Sequence, residues 1–232
     1  MGAERDTDER NRFFQRIYHE NLWQSAESVS GEGSAVWVCQ PLIEQLPILL
    51  GKYEIGSMLD IPCGDFNWMS YVPFPKGFHY IGADVVPELI EETQKRHGNG
   101  GREFCVLDLV NDELPPVDLL FVRDLFIHLS LAVCRKAIEN IARANFKYAM
   151  FTHDPISVRY PPTGNIEIER AQGGANFEFR PVSMMLAPFG FPASIDHITE
   201  HLDHSPGWHG QKQVALWTKE QIVGAVLPER ET

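Results

Sequence analysis

Aspartates close successive apolar runs at a fixed interval, and no other feature limits so strongly what this chain can fold into. Ser57-Met58-Leu59-Asp60, Tyr80-Ile81-Gly82-Ala83-Asp84 and Phe104-Cys105-Val106-Leu107-Asp108 each read as a short buried strand ending on an acid. Asp60 and Asp84 are 24 residues apart, and so are Asp84 and Asp108. That interval holds one strand, one helix and their turns, the repeating unit of a parallel sheet. A fourth run, Leu119-Leu120-Phe121-Val122-Arg123-Asp124, ends in the same way. The pattern predicts an α/β fold with a doubly wound, mostly parallel sheet and flanking helices, in which ligands bind outside the carboxyl ends of the strands. One aspartate at a strand end is readily explained as a helix cap. Three at regular intervals place a row of carboxylates along one edge of the sheet.

The turn after the first strand narrows the ligand. Residues 62–67 read Pro-Cys-Gly-Asp-Phe-Asn. A dinucleotide site needs Gly-x-Gly-x-x-Gly, so that backbone N–H groups can approach a pyrophosphate at a helix N-terminus. Here there is one glycine, and Asp65 stands where phosphates would lie and would repel them. Positive charge on the ligand suits this turn better. Gly64 tolerates positive φ and close approach, whereas Pro62 has a fixed φ and no N–H and belongs at a strand end.

Asp60-Ile61-Pro62-Cys63-Gly64, with Asp84 and Asp108 downstream, resembles the first three motifs of the class I S-adenosylmethionine-dependent methyltransferases. Four longer stretches, Leu59 to Met69, Tyr80 to Asp84, Arg123 to Ser130 and Glu27 to Ser34, resemble a group of small, mostly bacterial methyltransferases whose substrates are largely unassigned. The likeness covers roughly residues 20 to 150. It departs from the general motif at Pro62 and Phe66, which stand where the first and third glycines usually do. The resemblance implies a Rossmann-like methyltransferase fold, a seven-stranded-type sheet with an antiparallel edge strand near Gln213 to Trp217, and S-adenosyl-L-methionine as cofactor. On that reading Asp60, Pro62, Gly64 and Asp65 surround the amino-acid end of the cofactor. Asp84 accepts both ribose hydroxyls as a carboxylate, Asp108 receives the exocyclic amine of adenine, and Arg123 lies beside the cofactor. The glycine-serine segment Ser25 to Ser34 offers Ser30 and Gly31 as a lid, with Trp23 packed beside the ligand. Trp68 is assigned to the core.

With 232 residues and 44% hydrophobic content, the chain can bury the core of one α/β domain. Its net charge of −12 argues against a nucleic-acid substrate, which needs a basic face. Cys39, Cys63, Cys105 and Cys134 are far apart without CxxC spacing, which suggests reduced thiols and a cytoplasmic protein. No apolar run of membrane-spanning length is present, so a membrane is not an expected partner. The chain divides into an N-terminal helical and lid segment, residues 1–50, and a cofactor-binding domain, residues 51–232, with a substrate-facing insertion near 152–210. Residues 1–12 are expected to fray. Helices are expected over Asn11 to Trp23, Val36 to Leu50, Pro87 to His97 and Ala132 to Ala144, and an extended segment over Phe177 to Val182.

Methyl transfer asks the protein mainly to align an acceptor with an already activated donor in a dry pocket. A hydroxyl acceptor also needs a base, and His128, after the fourth strand, and His153, at the end of the fifth, are the two candidates. Asp124 and Arg180 are assigned to the substrate, with Arg159 and Arg170 as further anion clamps and Phe177, Phe179, Phe189 and Phe191 as apolar walls. His197 and His201 have the i, i+4 spacing of a helical metal pair, but no Glu follows His197, and no metal is assigned. A small-molecule acceptor is expected, through oxygen of a sugar, acid or secondary metabolite. A small amine is the alternative acceptor, and a catalytically silent cofactor-binding protein the alternative class.

Overall fold

The computed structural model describes residues 2–155, 164–168, 180–200 and 212–226. Among the described residues, seven strands form one sheet: β1 (Ser57–Asp60), β2 (His79–Asp84), β3 (Arg102–Val106), β4 (Leu119–Val122), β5 (Tyr148–His153), β6 (Asp196–Thr199) and β7 (Gln213–Thr218). Their order is β3-β2-β1-β4-β5-β7-β6. Strands β1 to β5 pair in parallel, whereas β7 runs antiparallel to both β5 and β6. The chain winds outward from β1 to β3, then returns to lay β4 on the other side of β1. A crevice opens where the winding reverses, the usual place for a ligand in such sheets.

Among the described residues, five α-helices accompany the sheet: α1 (Gly2–Glu20), α2 (Gln40–Lys52), α3 (Pro87–His97), α4 (Leu131–Arg143) and α5 (Lys219–Val226). Helix α4 shows why periodicity was a good guide. Val133, Cys134, Ala137, Ile138 and Ile141 are buried at three- and four-residue spacing, and the Ser130 hydroxyl caps the first turn by accepting the Val133 N–H at 3.3 Å. Helices α4 and α5 pack with Leu59, Leu120, Ala149 and Trp217 on one side of the sheet. Helix α2 packs with Met58, Tyr80, Phe121 and Leu216 on the other.

Where the motif's third glycine is missing, the chain has found another solution. Phe66 takes a positive φ of 59° and is buried against Tyr80 and Phe104 at ring separations of 5.0 and 5.2 Å. A side chain at Gly82 would come within 2.5 Å of the Phe104 ring, so this glycine makes the room that the phenylalanine pair needs.

Several expectations need correction. Residues 2–12 are not a frayed end: α1 begins at Gly2, and it carries Arg10 and Ile17 into buried positions. The second helix starts at Gln40 rather than Val36, with Pro41 in its first turn, where a missing N–H costs nothing. His197 lies on β6, so it has no helical i, i+4 relation to offer a metal. Phe189 and Phe191 are buried in the core, Phe189 against Phe126 and Phe191 against Phe151 and Trp217. Arg159, Arg170, Phe177, Phe179 and His201 lie outside the described residues. No described helix is long and apolar enough to cross a membrane.

Candidate functional site

A cavity of about 800 Å³ opens over the carboxyl ends of the central strands. Its floor is built by strand ends: Asp60 to Gly64 after β1, Asp84 to Val86 after β2, Leu107 to Val110 after β3, and Arg123 to Leu125 after β4. Helix α1 covers it with Arg10, Phe14, Ile17 and Tyr18, and the following loop adds Trp23 and residues 29–34. The spacing of the acids therefore does bring Asp60, Asp84 and Asp108 to one cavity. Pro62, Gly64, Trp23, Ser30, Gly31, Arg123, Asp124 and His128 line it too.

Each carboxylate has a distinct environment. Asp60 is buried and accepts the Tyr80 hydroxyl at 2.6 Å, and burial pushes its carboxyl up to about 7. Asp84 accepts backbone N–H groups from Gly64 at 3.3 Å and Val86 at 3.2 Å, yet burial still raises it to about 6. Asp108 accepts the Val110 N–H at 2.9 Å and the Asn111 amide at 2.7 Å, and the Arg10 guanidinium of α1 bonds its second oxygen as well. Between β1 and β2 the turn is tight. Gly64 sits at φ +56°, and a Cβ there would fall 2.1 Å from the Ser30 hydroxyl oxygen.

At the β4 end, four charged side chains form a buried cluster. Arg123 Nε donates to Glu200 at 2.7 Å, and Lys212 Nζ donates to Asp124 at 2.7 Å and lies 2.9 Å from Glu200. Arg123 also donates to the Gly33 carbonyl at 2.8 Å and lies over the Trp68 ring at 5.5 Å. Asp124 holds φ at +55°, a conformation aspartate tolerates better than most residues, and it accepts the Thr152 hydroxyl at 2.9 Å.

His128 closes a short 3-10 turn, Phe126–His128, and its ring lies 5.6 Å from that of Trp23, tilted by 31°. Arg180 explains the turn's position. Its guanidinium is buried and donates to the carbonyls of Phe126 (2.7 Å), Leu129 (2.7 Å) and Ile166 (2.6 Å). Arg180 is not among the residues that line the cavity, and its three bonds to backbone carbonyls brace the His128 turn. His153, the second candidate base, sits elsewhere. It is buried against Trp217, accepts the Met184 N–H on Nδ1 at 3.1 Å, and lies outside the cavity. Burial, helped by nearby His197, pushes its imidazole down to about 4. Asp65 does not line the cavity either: its carboxylate faces the loop at residues 28–30. Trp68, assigned to the core, is buried and touches the cavity as well.

Arg10 and Lys212 line the site without having been expected there. Arg10 and Asp108 are 98 residues apart, and Lys212 and Asp124 are 88 apart, which leaves no local signal that could have paired them.

No protein-family model matches the chain, and no curated protein matches it. Solved structures do. An N-methyltransferase, NodS from Bradyrhizobium japonicum WM9 in complex with S-adenosyl-L-homocysteine, superposes with a TM-score of 0.58 at 12% identity, over 87% of this chain and 97% of that one. The fold is that of the Rossmann-like methyltransferases. Human N-acetylserotonin methyltransferase in complex with SAM gives 0.53 at 16% identity, over 88% of this chain but only 57% of its own length. Magnesium protoporphyrin IX methyltransferase from Synechocystis PCC 6803 with bound SAH gives 0.52 at 13%, over 78% of this chain and 84% of that one.

Proposed function

We propose that this chain is an S-adenosyl-L-methionine-dependent methyltransferase acting on a small molecule, with oxygen as the accepting atom. The observation that carries the reading is the row of buried carboxylates Asp60, Asp84 and Asp108 along one cavity, beside a glycine turn that has no room for a side chain. Methyltransferases of the same fold, crystallised with SAM or SAH, support it.

The residues present fit such a cofactor. Asp84 offers a carboxylate to a ribose, the Asp60 to Gly64 turn accommodates an amino-acid end carrying an ammonium group, and Asp108 lies where an adenine amine would be received. Residues 1–50 supply the cover, through α1, Trp23, Ser30 and Gly31. When bound, S-adenosyl-L-methionine supplies a methyl group already activated on a sulfonium. What remains for the protein is to bind, to exclude water and to take the proton of an acceptor hydroxyl, for which His128 is placed at the β4 end. Asp124 and the cluster around it form the polar wall of that end. Incubating the protein with methyl-labelled cofactor and a metabolite extract, then following the label by mass spectrometry, tests the reading. A labelled small molecule supports it, and cofactor binding without transfer to any component favours a catalytically silent binding protein.

Cofactor binding should be linked to protons. In the free protein, burial favours the protonated forms of Asp84 and Asp60 up to about pH 6 and 7. Because these values are raised above the ordinary carboxyl range, the two groups favour the folded state most in acid and lose that contribution as pH rises through 6 to 7. A ligand that needs the carboxylate of Asp84 must displace a proton below pH 6. Calorimetric titration with S-adenosylhomocysteine should therefore show proton release to the buffer, and affinity rising between pH 5 and 7. Asp84→Ala should weaken binding by about 1–3 kcal/mol, roughly 5- to 150-fold in Kd, and flatten that pH dependence. Unchanged affinity in a folded Asp84→Ala protein would remove Asp84 from the site.

A further inference from the structure

We propose that Asp65 is a positioning residue that seats the loop at residues 28–31 over the Gly64 turn and, through Gly31 and Trp23, sets the imidazole of His128. The proposal rests on the reading of His128 as the acceptor's base.

Donors from two directions converge on the Asp65 carboxylate. The Ser28 hydroxyl donates to it at 2.9 Å and the Val29 N–H at 3.0 Å, while the Asn67 N–H reaches it from its own turn at 3.3 Å. The Asp65 N–H returns a bond to the Ser30 hydroxyl at 3.2 Å. Two residues on, Asn67 grips the loop's outer ends: its amide donates to Glu27 at 2.8 Å and to the Ser34 carbonyl at 3.1 Å. A carboxylate suits the first position because it only accepts, and an asparagine there would turn two of its own N–H donors toward groups that also donate. Bonds to an ionised acceptor are also the stronger kind.

Fixing this loop has a consequence across the cavity. Gly64 lies under the Ser30 hydroxyl so closely that no Cβ would fit. The next residue, Gly31, stands at φ +91°, and a Cβ built on it would sit 3.4 Å from the Cβ and two ring atoms of Trp23. Trp23 in turn lies beside the His128 ring. The loop at Gly31, the Trp23 indole and the His128 imidazole are thus successive neighbours, starting from one carboxylate on the turn that the proposed cofactor would touch. Loosening Asp65 should free Trp23 and so change the surroundings of the His128 ring, whose turn Arg180 supports.

The test uses the full chain without cofactor or acceptor. In Asp65→Asn, amide exchange over Val29 to Ser34 should quicken by about tenfold or more, as expected when a locally closed segment opens, and the His128 ring resonances should move. Ser28→Ala removes one of the same bonds and should give a smaller change in the same direction, and it decides the matter if Asp65→Asn does not fold. With labelled cofactor, kcat should fall more than the acceptor KM rises, and the acid side of the pH–rate curve should shift. Asp65→Glu, which cannot place its carboxylate between Ser28 and Val29, should not restore the wild-type exchange. Unchanged exchange and unchanged His128 resonances in these folded variants would overturn the proposal. Both readouts are made without ligand, so a failure to find methyl transfer would count against the proposed function and not against the latch. An active enzyme with an unaltered loop would count against the latch alone.

Discussion

Alanine at position 128 is expected to lower methyl transfer to a hydroxyl acceptor by about 10²–10⁴-fold, the usual cost of losing a positioned base, while S-adenosylhomocysteine binds almost as before. The separation is expected because His128 stands at the β4 end of the cavity, away from Asp84 and Asp108 in the chain's winding. The turn that carries it is fixed by the Arg180 guanidinium and packs on the core through buried Phe126 and Ile127, so removing an imidazole that lines a cavity leaves its support in place. The base must be neutral to accept a proton, so the wild-type rate should fall in acid, and the variant should lose that limb. His153→Ala is the contrasting control. Its imidazole is already held neutral in the core and accepts the Met184 N–H, so its loss should reduce stability and spare the chemical step. A His128→Ala enzyme with full activity would mean that the acceptor is nucleophilic as it arrives, which points to an amine or a carboxylate.

Asp84 and His128 illustrate what could be read from the chain alone. An acid at the end of an apolar run is a local feature, and repetition of that feature every strand-helix unit imposes parallel strands whose ends share an edge. Register then carries the rest: Asp60 pairs with Gly82 and Phe121, which sets the β1 acid at the point where the winding reverses. The place of His128 at the cavity edge was legible for a similar reason, since the short link from β4 to α4 leaves it little choice of edge. Arg180, His153 and Asp65 do not line the cavity, because where a side chain goes depends on its direction as well as its position. Residues alternate across a strand, so a place near the cavity edge does not say which way a side chain points. The guanidinium of Arg180 met three carbonyls from remote segments, and Asp65 met a loop 35 to 37 residues before it. Arg10 and Lys212 were missed because nothing near them in sequence announces their partners.

Loss of Glu200 should have the largest effect on stability. Its side chain is fully buried beside those of Arg123 and Lys212, with Asp124 completing two cations and two anions. Burial by itself would push the Lys212 ammonium down, yet the carboxylates of Asp124 and Glu200 outweigh it and hold the group above its ordinary value. Burial would likewise raise Asp124, but the charges of Arg123 and Lys212 hold its carboxyl well below the usual range. Such a cluster adds little net stability while intact, because attraction is set against the cost of removing four charges from water. Removing one member is different. Glu200→Ala leaves two buried cations sharing one carboxylate, and breaking a buried pair in this way costs about 3–5 kcal/mol. At about 2–4 °C per kcal/mol for a domain of this size, the melting temperature should drop by roughly 6–20 °C. Glu200→Gln keeps the shape and one acceptor, so it should lose less. Acid should weaken the wild type through the same cluster: the depressed carboxyl of Asp124 contributes stability that is present above its ordinary value of 3.8 and lost as pH falls below it. The loss in Glu200→Ala should extend to the site, because Arg123 also holds the Gly33 carbonyl of the loop over the cavity. Thermal melts of the two variants, with amide exchange at residues 31–34, measure both effects. A Glu200→Ala protein that melts within about 2 °C of wild type would show that water or a rearranged partner has replaced the carboxylate, and that the cluster does not depend on its charge balance.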